Sequence, residues 1–261
     1  MSTKTTIHAI RQALSFARIS TFETSVKIVD DADSRALALY AWNARISAAL
    51  LAALHVCEVV IRNAVSDAVE KVYGPRWPWQ IGFEQSLPSP RTGYNPQRDL
   101  QNARSHAPTT GKAIPELKFV FWQKMFTSRH DQRLWTPYLR QILPNLGPGK
   151  PVSQLRQEIY DDLEQIRYLR NRIAHHEPIF ARNLSDDMQK IVALIEFRSK
   201  ETAAWIMQNQ DASAILRETR TRPSAARIAE AAYFLWLERG GSEGNAEQDW
   251  YQAEKHLLGL T

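Results

Sequence analysis

SQLRQEIYDDLEQIRYLRNRIAHH, residues 153 to 176, decides the fold. Its apolar residues Leu155, Ile159, Leu163, Ile166, Leu169 and Ile173 are spaced by four, four, three, three and four. An α-helix turns by about 100° per residue, so this spacing keeps one apolar side chain per turn on a single face. A strand would need alternation by two. The segment therefore reads as an amphipathic helix with a seam turned to a core. Asn171 and His175 fall one turn apart, nearly opposite the seam, and Arg170 lies between the two faces. Tyr168 and Glu164 continue the polar side.

The end of this helix is set by Pro178, whose ring clashes with the carbonyl four residues back and pushes Glu177 out of helical geometry. The helix is expected to stop at about His176, with both histidines in its last turn. The negative end of the helix dipole favours a cation there.

Outward from this segment the chain continues to read as helices. Residues 35 to 73 carry Leu37, Tyr40, Ala44, Leu51, Leu54, Val56, Val59, Val65 and Val69 at helical spacing, with Gly74-Pro75 as a stop. Between Ile46 and Val60 this run is apolar on most faces, so its centre should be buried. Residues 5 to 17 read as a short amphipathic helix, and 98 to 105 as another. Pro115 is expected to open a helix through ELKFVFWQKMF, and a further one spans 135 to 142. Asn183 or Ser185 should cap a last long helix running through Trp205. Residues 85 to 97 and 107 to 113 read as loops by their Pro, Gly and Ser content. The fold class is all-α, a helical bundle.

The domain reading is a main domain over 1–207, a linker over 208–222 and a two-helix domain over 223–261. In the last, Ile228, Ala232, Leu235 and Trp236 should face Trp250, Ala253 and Leu257 across the turn GGSEGN.

Composition narrows the function classes. The single cysteine, Cys57, excludes an intrachain disulfide and a cysteine zinc site, and its apolar setting suggests a buried small hydrophobe. The N-terminus has no signal-peptide pattern, and the most apolar stretch, 46 to 56, is short for a span of about 20 residues, so a cytoplasmic protein is expected. The net charge is +5, but residues 76 to 150 hold eleven Lys and Arg against four Asp and Glu, a local +7. A basic middle third suits a polyanion such as RNA. Trp77, Trp79, Tyr94, Trp122, Trp135 and Tyr138 lie in this region and offer stacking surfaces, although their helical spacing favours a core role for most.

No phosphate loop, H-E-x-x-H or G-x-S-x-G is present. His175, His176 and Glu177, taken as consecutive helical residues, diverge by about 100° each and do not converge on one metal. The parts present suit proton transfer at a phosphodiester. Histidine titrates near neutrality and can give or take a proton. Arginine beside it can hold a phosphate bidentately and stabilise developing charge. Asn171 can hydrogen-bond His175 or orient a substrate. Glu58 and Arg62, spaced i, i+4, can pair along their helix, as a structural ion pair or as support for Arg170 and His175.

The string L-R-N-R-I-A-H-H-E-P-I-F closely resembles the signature of the abortive-infection (Abi-like) proteins, a bacterial branch of the HEPN superfamily. The hallmark Arg-Asn-x-x-x-His is matched by Arg170, Asn171 and His175. LYAWNARISAALLAALHVCEVVIRNAV resembles the family's long second helix, with its Glu-x-x-x-Arg-Asn on Glu58, Arg62 and Asn63. ELKFVFWQKMF is similar to its Leu-x-Phe-Gly-Phe-Trp segment, with Val120 where glycine is usual. The likeness covers roughly residues 15 to 206. It implies a helical bundle, dimeric, in which the motifs of two chains meet in one cleft. It also implies metal-independent RNA cleavage in phage defence or a toxin–antitoxin system, with Arg170, Asn171 and His175 catalytic and Glu58, Arg62, Asn63 and His176 supporting. The partners it implies are RNA, a second copy, and an antitoxin or regulatory protein, with no membrane and no cofactor. The alternative in the same superfamily is a non-catalytic module that binds nucleotide, RNA or protein. The tail, A-x-x-x-W-L-E-R-G-G followed by W-Y-Q-A-E, resembles a short uncharacterised bacterial domain of two helices.

Overall fold

The computed structural model describes residues 3–26, 32–221, 225–239 and 246–257. Among these every regular element is helical and no strand occurs. In chain order they are α1 (Thr3–Leu14), α2 (Phe16–Ser25), α3 (Ala32–Tyr73), α4 (Ile81–Ser86), α5 (Pro96–Ser105), α6 (Thr110–Ala113) and α7 (Phe119–Met125). There follow α8 (Thr136–Ile142), α9 (Val152–Ala174), α10 (Leu184–Glu196), α11 (Lys200–Gln208), α12 (Ala212–Thr221), α13 (Ala225–Glu238) and α14 (Ala246–Leu257). The chain divides into two compact units, 1–210 and 211–261.

The first unit is organised around α3, a helix of 42 residues that packs against α2, α7, α8, α9 and α10. At 1.5 Å per residue it is about 63 Å long. Gly74 ends it with φ 81°, its N–H closing on the Glu70 carbonyl at 2.8 Å, as the Gly-Pro pair suggests. By length and composition α3 could cross a membrane, but here it is the helix on which the other elements assemble. Ile46, Leu50, Ala53, Leu54, Cys57, Ile61, Ala64 and Val65 form its buried side. Burial pushes the Cys57 thiol up to about 12, so it is an inert apolar group.

Helix α9 buries the expected seam, from Leu155 through Ile173, against this core. It also buries Arg156, which pairs with Asp131 at 2.9 Å and donates to the Phe126 carbonyl at 3.3 Å. Trp77, Trp122 and Trp135 are core residues, each at most 1% exposed. They contribute packing and leave Trp79, Tyr94 and Tyr138 as the half-buried rings of the basic region.

Several boundaries differ from expectation, some through a neighbouring cap and some through a side chain distant in sequence. The first helix breaks at Ser15, whose φ of 73° and side-chain bond to the Arg18 N–H start α2. Helix α2 then buries Ile19 and Phe22 against Ala36 of α3. The helix expected from Pro115 is split: a 3-10 turn covers Ile114–Glu116, Leu117 and Lys118 are extended, and α7 begins at Phe119. Asp99 draws the chain out of the helix there by accepting the Lys118 N–H at 3.3 Å. Helix α5 starts at Pro96, earlier than expected, because Asn95 caps it through the Arg98 N–H at 2.9 Å. The expected loop over 107–113 closes with the short α6. The long helix from 183 is two helices. Asn183 caps α10, whose end is met by Asn145 donating to the Glu196 and Phe197 carbonyls, and Ser199 caps α11.

The segment 208–222, expected as a linker, holds α12. In the second unit Ile228, Ala232 and Ala253 are buried together with Leu235 and Trp250 packed on them, joining α13 to α14. Trp236 is half-buried outside that cluster. The GGSEGN turn and the Leu257 side chain lie outside the described residues. Because the seams of α3 and α9 lie wholly in the first unit, a chain ending at Gln210 is expected to fold. Its far-ultraviolet circular dichroism should stay helical, with a cooperative thermal transition. A broad, non-cooperative melt would show that 211–261 belong to the same folding unit.

Candidate functional site

Glu58 and Arg62 stand one turn apart on α3, with Arg62 Nη2 to Glu58 Oε1 at 2.8 Å. Both side chains are largely shielded, 15% and 18% exposed for arginine and glutamate. The other carboxylate oxygen, Oε2, faces Arg170 Nε of α9 at 4.0 Å. Glu58 thus bridges the two helices between two guanidinium groups. The contacts are unequal. The Arg170 side chain is 41% exposed, and at 4.0 Å in that setting the pair contributes at most about 1 kcal/mol. Arg170 is only loosely paired and can meet an anion from solvent. Asn63 is exposed beside this cluster, and Asn171 is half-buried. Further along α9, Arg167 donates to the fully buried Gln123 at 2.7 Å, which in turn donates to Glu164 at 3.4 Å.

The histidines sit differently from the expectation. Helix α9 ends at Ala174, and His175 is its cap residue, with φ −93° and ψ 10°. His176 lies outside the helix in the left-handed region, φ 56°. Its N–H bonds the Ile173 carbonyl at 3.0 Å, and the Glu177 N–H bonds the Arg172 carbonyl at 2.8 Å. This pair of bonds is a Schellman ending, in which the left-handed position is usually glycine. The two imidazoles are therefore not successive helical side chains, and the 100° separation argued from the helix does not apply to them. Both histidines are exposed. Among the described residues the side chains of Asn171 and His175 share no hydrogen bond, so of the two roles open to Asn171, bonding His175 or orienting a substrate, the first is not made here.

The turn that carries His175 is fixed by residues the sequence reading did not single out. Arg18 of α2 donates to the His176 carbonyl at 2.5 Å. Arg172 donates twice to the Pro178 carbonyl, at 3.0 and 2.6 Å. Asn43, buried in the apolar run of α3, accepts the Ile179 N–H at 2.7 Å. Phe180 then packs on Phe22, with ring centroids 5.2 Å apart. Asn43 was detectable as a lone amide at a core-facing position of α3; Arg18 has no local signal.

The left-handed residue makes a direct prediction. A non-glycine residue in this conformation costs roughly 1 kcal/mol more than glycine, even after glycine's larger unfolded-state entropy. His176→Gly is expected to raise Tm by about 2–4 °C, and His176→Ala, which keeps the strained backbone, is not. A lower Tm for the glycine variant in a thermal melt would show that the imidazole itself makes a stabilising contact.

Among known families, the one described as Protein of unknown function (DUF2934) matches residues 224–259, the region of α13 and α14. This agrees with the likeness of the tail to a short uncharacterised domain and adds no chemistry. No curated protein matches the chain. No solved structure matches it either.

Proposed function

We infer that the first unit is an Abi-like HEPN endoribonuclease, metal-independent and cytoplasmic, used as a toxin-like effector in phage defence or a toxin–antitoxin system. The observation that supports this reading is a solvent-reachable Arg170 on the same helix as a hydrogen-bonded turn that presents His175. Glu58 faces the guanidinium from α3 at 4.0 Å, and Arg18 of α2, Arg172 of α9 and Asn43 of α3 hydrogen-bond the turn. Rigid supports of this kind suit catalysis by positioning.

In the proposed reaction the ribose 2′-oxygen attacks the adjacent phosphorus and forms the cyclic ester, while the bond to the 5′-oxygen breaks. One histidine takes the 2′-hydroxyl proton and a second group returns a proton to the departing 5′-oxygen. Arg170 pairs with the phosphoryl oxygens as charge grows on them. Asn171 orients the phosphodiester, and Arg62 and Asn63 support the cluster around Glu58.

A single His175 does not supply acid and base at the same moment, so the reading includes a homodimer whose two motifs share one cleft. The exposure of α3 supports this. Its most apolar stretch is only 33% buried, and Ala44, Ala48, Leu51, Ala52 and His55 form an exposed strip one turn at a time. That strip continues along α3 in line with Glu58 and Arg62, and it is the face on which the reading seats the second chain.

Cleavage is expected to proceed in EDTA and to leave 2′,3′-cyclic phosphate and 5′-hydroxyl ends, read by end-specific RNA sequencing. Loss of activity on chelation, or 5′-phosphate ends, would sink the mechanism. RNA bound without cleavage would favour the non-catalytic member of the superfamily.

A further inference from the structure

A cavity of about 290 Å³ lies beside the loop from α4 to α5, away from the motif just described. Its volume is at the lower end of the roughly 300–1,000 Å³ usual for small-molecule sites. Leu87, Pro88, Pro96, Phe121 and Met125 give it an apolar wall. Four polar residues also line it, and three are committed elsewhere. Tyr94 donates its hydroxyl to Asp99 at 2.7 Å, Lys124 donates to the Tyr160 hydroxyl at 2.5 Å, and Thr127 donates to the Lys124 carbonyl at 2.8 Å.

The fourth is His130. It is only 3% exposed, and among the described residues its ring has no hydrogen-bond partner. Burial first, then the nearby Arg133 and Arg129, push its titration down to about 4, so the imidazole is neutral at physiological pH. A neutral imidazole offers one donor and one acceptor. With no partner in the chain, both ring nitrogens are open to a ligand that supplies the matching acceptor and donor.

These features select a ligand chemistry. The wall is mostly apolar and suits an aromatic body, while the Lys124 ammonium, paired only with the neutral Tyr160 hydroxyl, can meet an acceptor on its edge. The rings of Tyr94 and Phe121 suit a flat partner. The cations at 129 and 133 favour an electron-rich acceptor edge at the His130 end. We propose that this cavity binds a planar heteroaromatic ring, hydrogen-bonded to His130 and set against the apolar wall. The ring has two sources: the base of a nucleotide, whose phosphate would lie on the basic surface of residues 76–150, or a free heteroaromatic metabolite without phosphate.

The test uses the full chain and does not depend on RNA cleavage. The sequence holds four methionines, so methyl-labelled methionine gives a simple NMR spectrum in which Met125 reports on the cavity and the buried Met188 reports on the fold. Adenine, 5′-AMP, benzene and inorganic phosphate are titrated separately. Adenine is expected to shift Met125 saturably and to bind about tenfold more tightly than benzene, the difference that one hydrogen bond makes. Tighter binding of 5′-AMP than of adenine at low salt identifies the nucleotide source; equal or weaker binding identifies the free ring. His130→Phe should weaken adenine about tenfold and leave benzene unchanged. If Met188 shows that this variant is misfolded, the comparison of adenine with benzene on the unaltered chain decides alone. No response at Met125, equal affinity for benzene and adenine, or the same shift with phosphate alone overturns the proposal.

Discussion

Arg170→Ala and His175→Ala are each expected to lower RNA cleavage by about 10²–10⁴-fold, the range for loss of a positioned proton-transfer group or charge stabiliser. Neither change should unfold the chain. Arg170 is 41% exposed at its side chain and lies off the buried seam of α9, and His175 is an exposed cap residue whose backbone makes the capping bonds. Exposed substitutions of this kind typically alter stability by about 0.5 kcal/mol or less. Arg170→Lys separates charge from geometry. A lysine keeps the positive charge but loses the planar fork, so activity should fall while RNA affinity changes little. Initial rates on a defined RNA, with circular dichroism on the same samples, measure both quantities. Wild-type rates in a correctly folded His175→Ala chain would remove His175 from the chemistry and leave the cluster around Glu58 as a binding feature.

The fold was legible where hydrophobic period and burial coincide. The seam from Leu155 to Ile173 and the stop at Gly74 needed only spacing and a breaker. Some boundaries failed at unrecognised local caps, Ser15 and Asn95, and others where a polar side chain from elsewhere in the chain redirected the backbone. Asp99 drawing out Lys118 and Asn145 closing the end of α10 act across gaps in sequence that a periodic pattern does not encode. The Glu58–Arg62 pair was legible because i, i+4 neighbours on a helix are determined by geometry. The bridge from Glu58 to Arg170 joins two distant helices, and only the folded packing reveals it. The proline after the two histidines gave the correct reason for the helix to stop and the wrong residue, because the stop is completed by a left-handed His176. Side-chain type alone did not announce that conformation, which glycine normally occupies. The buried His130 was missed for a related reason: nothing in SRHDQR marks that ring as interior.

Diluting the active chain into an inactive one should remove activity much faster than linearly. If the cleft needs Arg170 and His175 from both copies, then in an exchanging mixture only pairs of two wild-type chains cut. With one part wild type in ten, and Arg170→Ala/His175→Ala as the remainder, activity is expected at about one hundredth of the undiluted value, since an isologous contact pairs chains at random. A site complete in each chain predicts about one tenth instead, so the two outcomes differ by about tenfold in a single rate measurement. The physical basis is the exposed strip of α3. Leu51 is 46% exposed at the centre of a helix whose other side is fully buried, and the small Ala44, Ala48 and Ala52 around it would let a second helix approach closely. Leu51→Glu places a charge in that contact and opposes association without touching the core of either chain. Light scattering should then show a monomer, and cleavage should fall with it. A Leu51→Glu chain that is monomeric yet fully active would confine the site to one chain. A wild-type chain that is already monomeric at micromolar concentration would exclude the shared cleft, whatever the variants do.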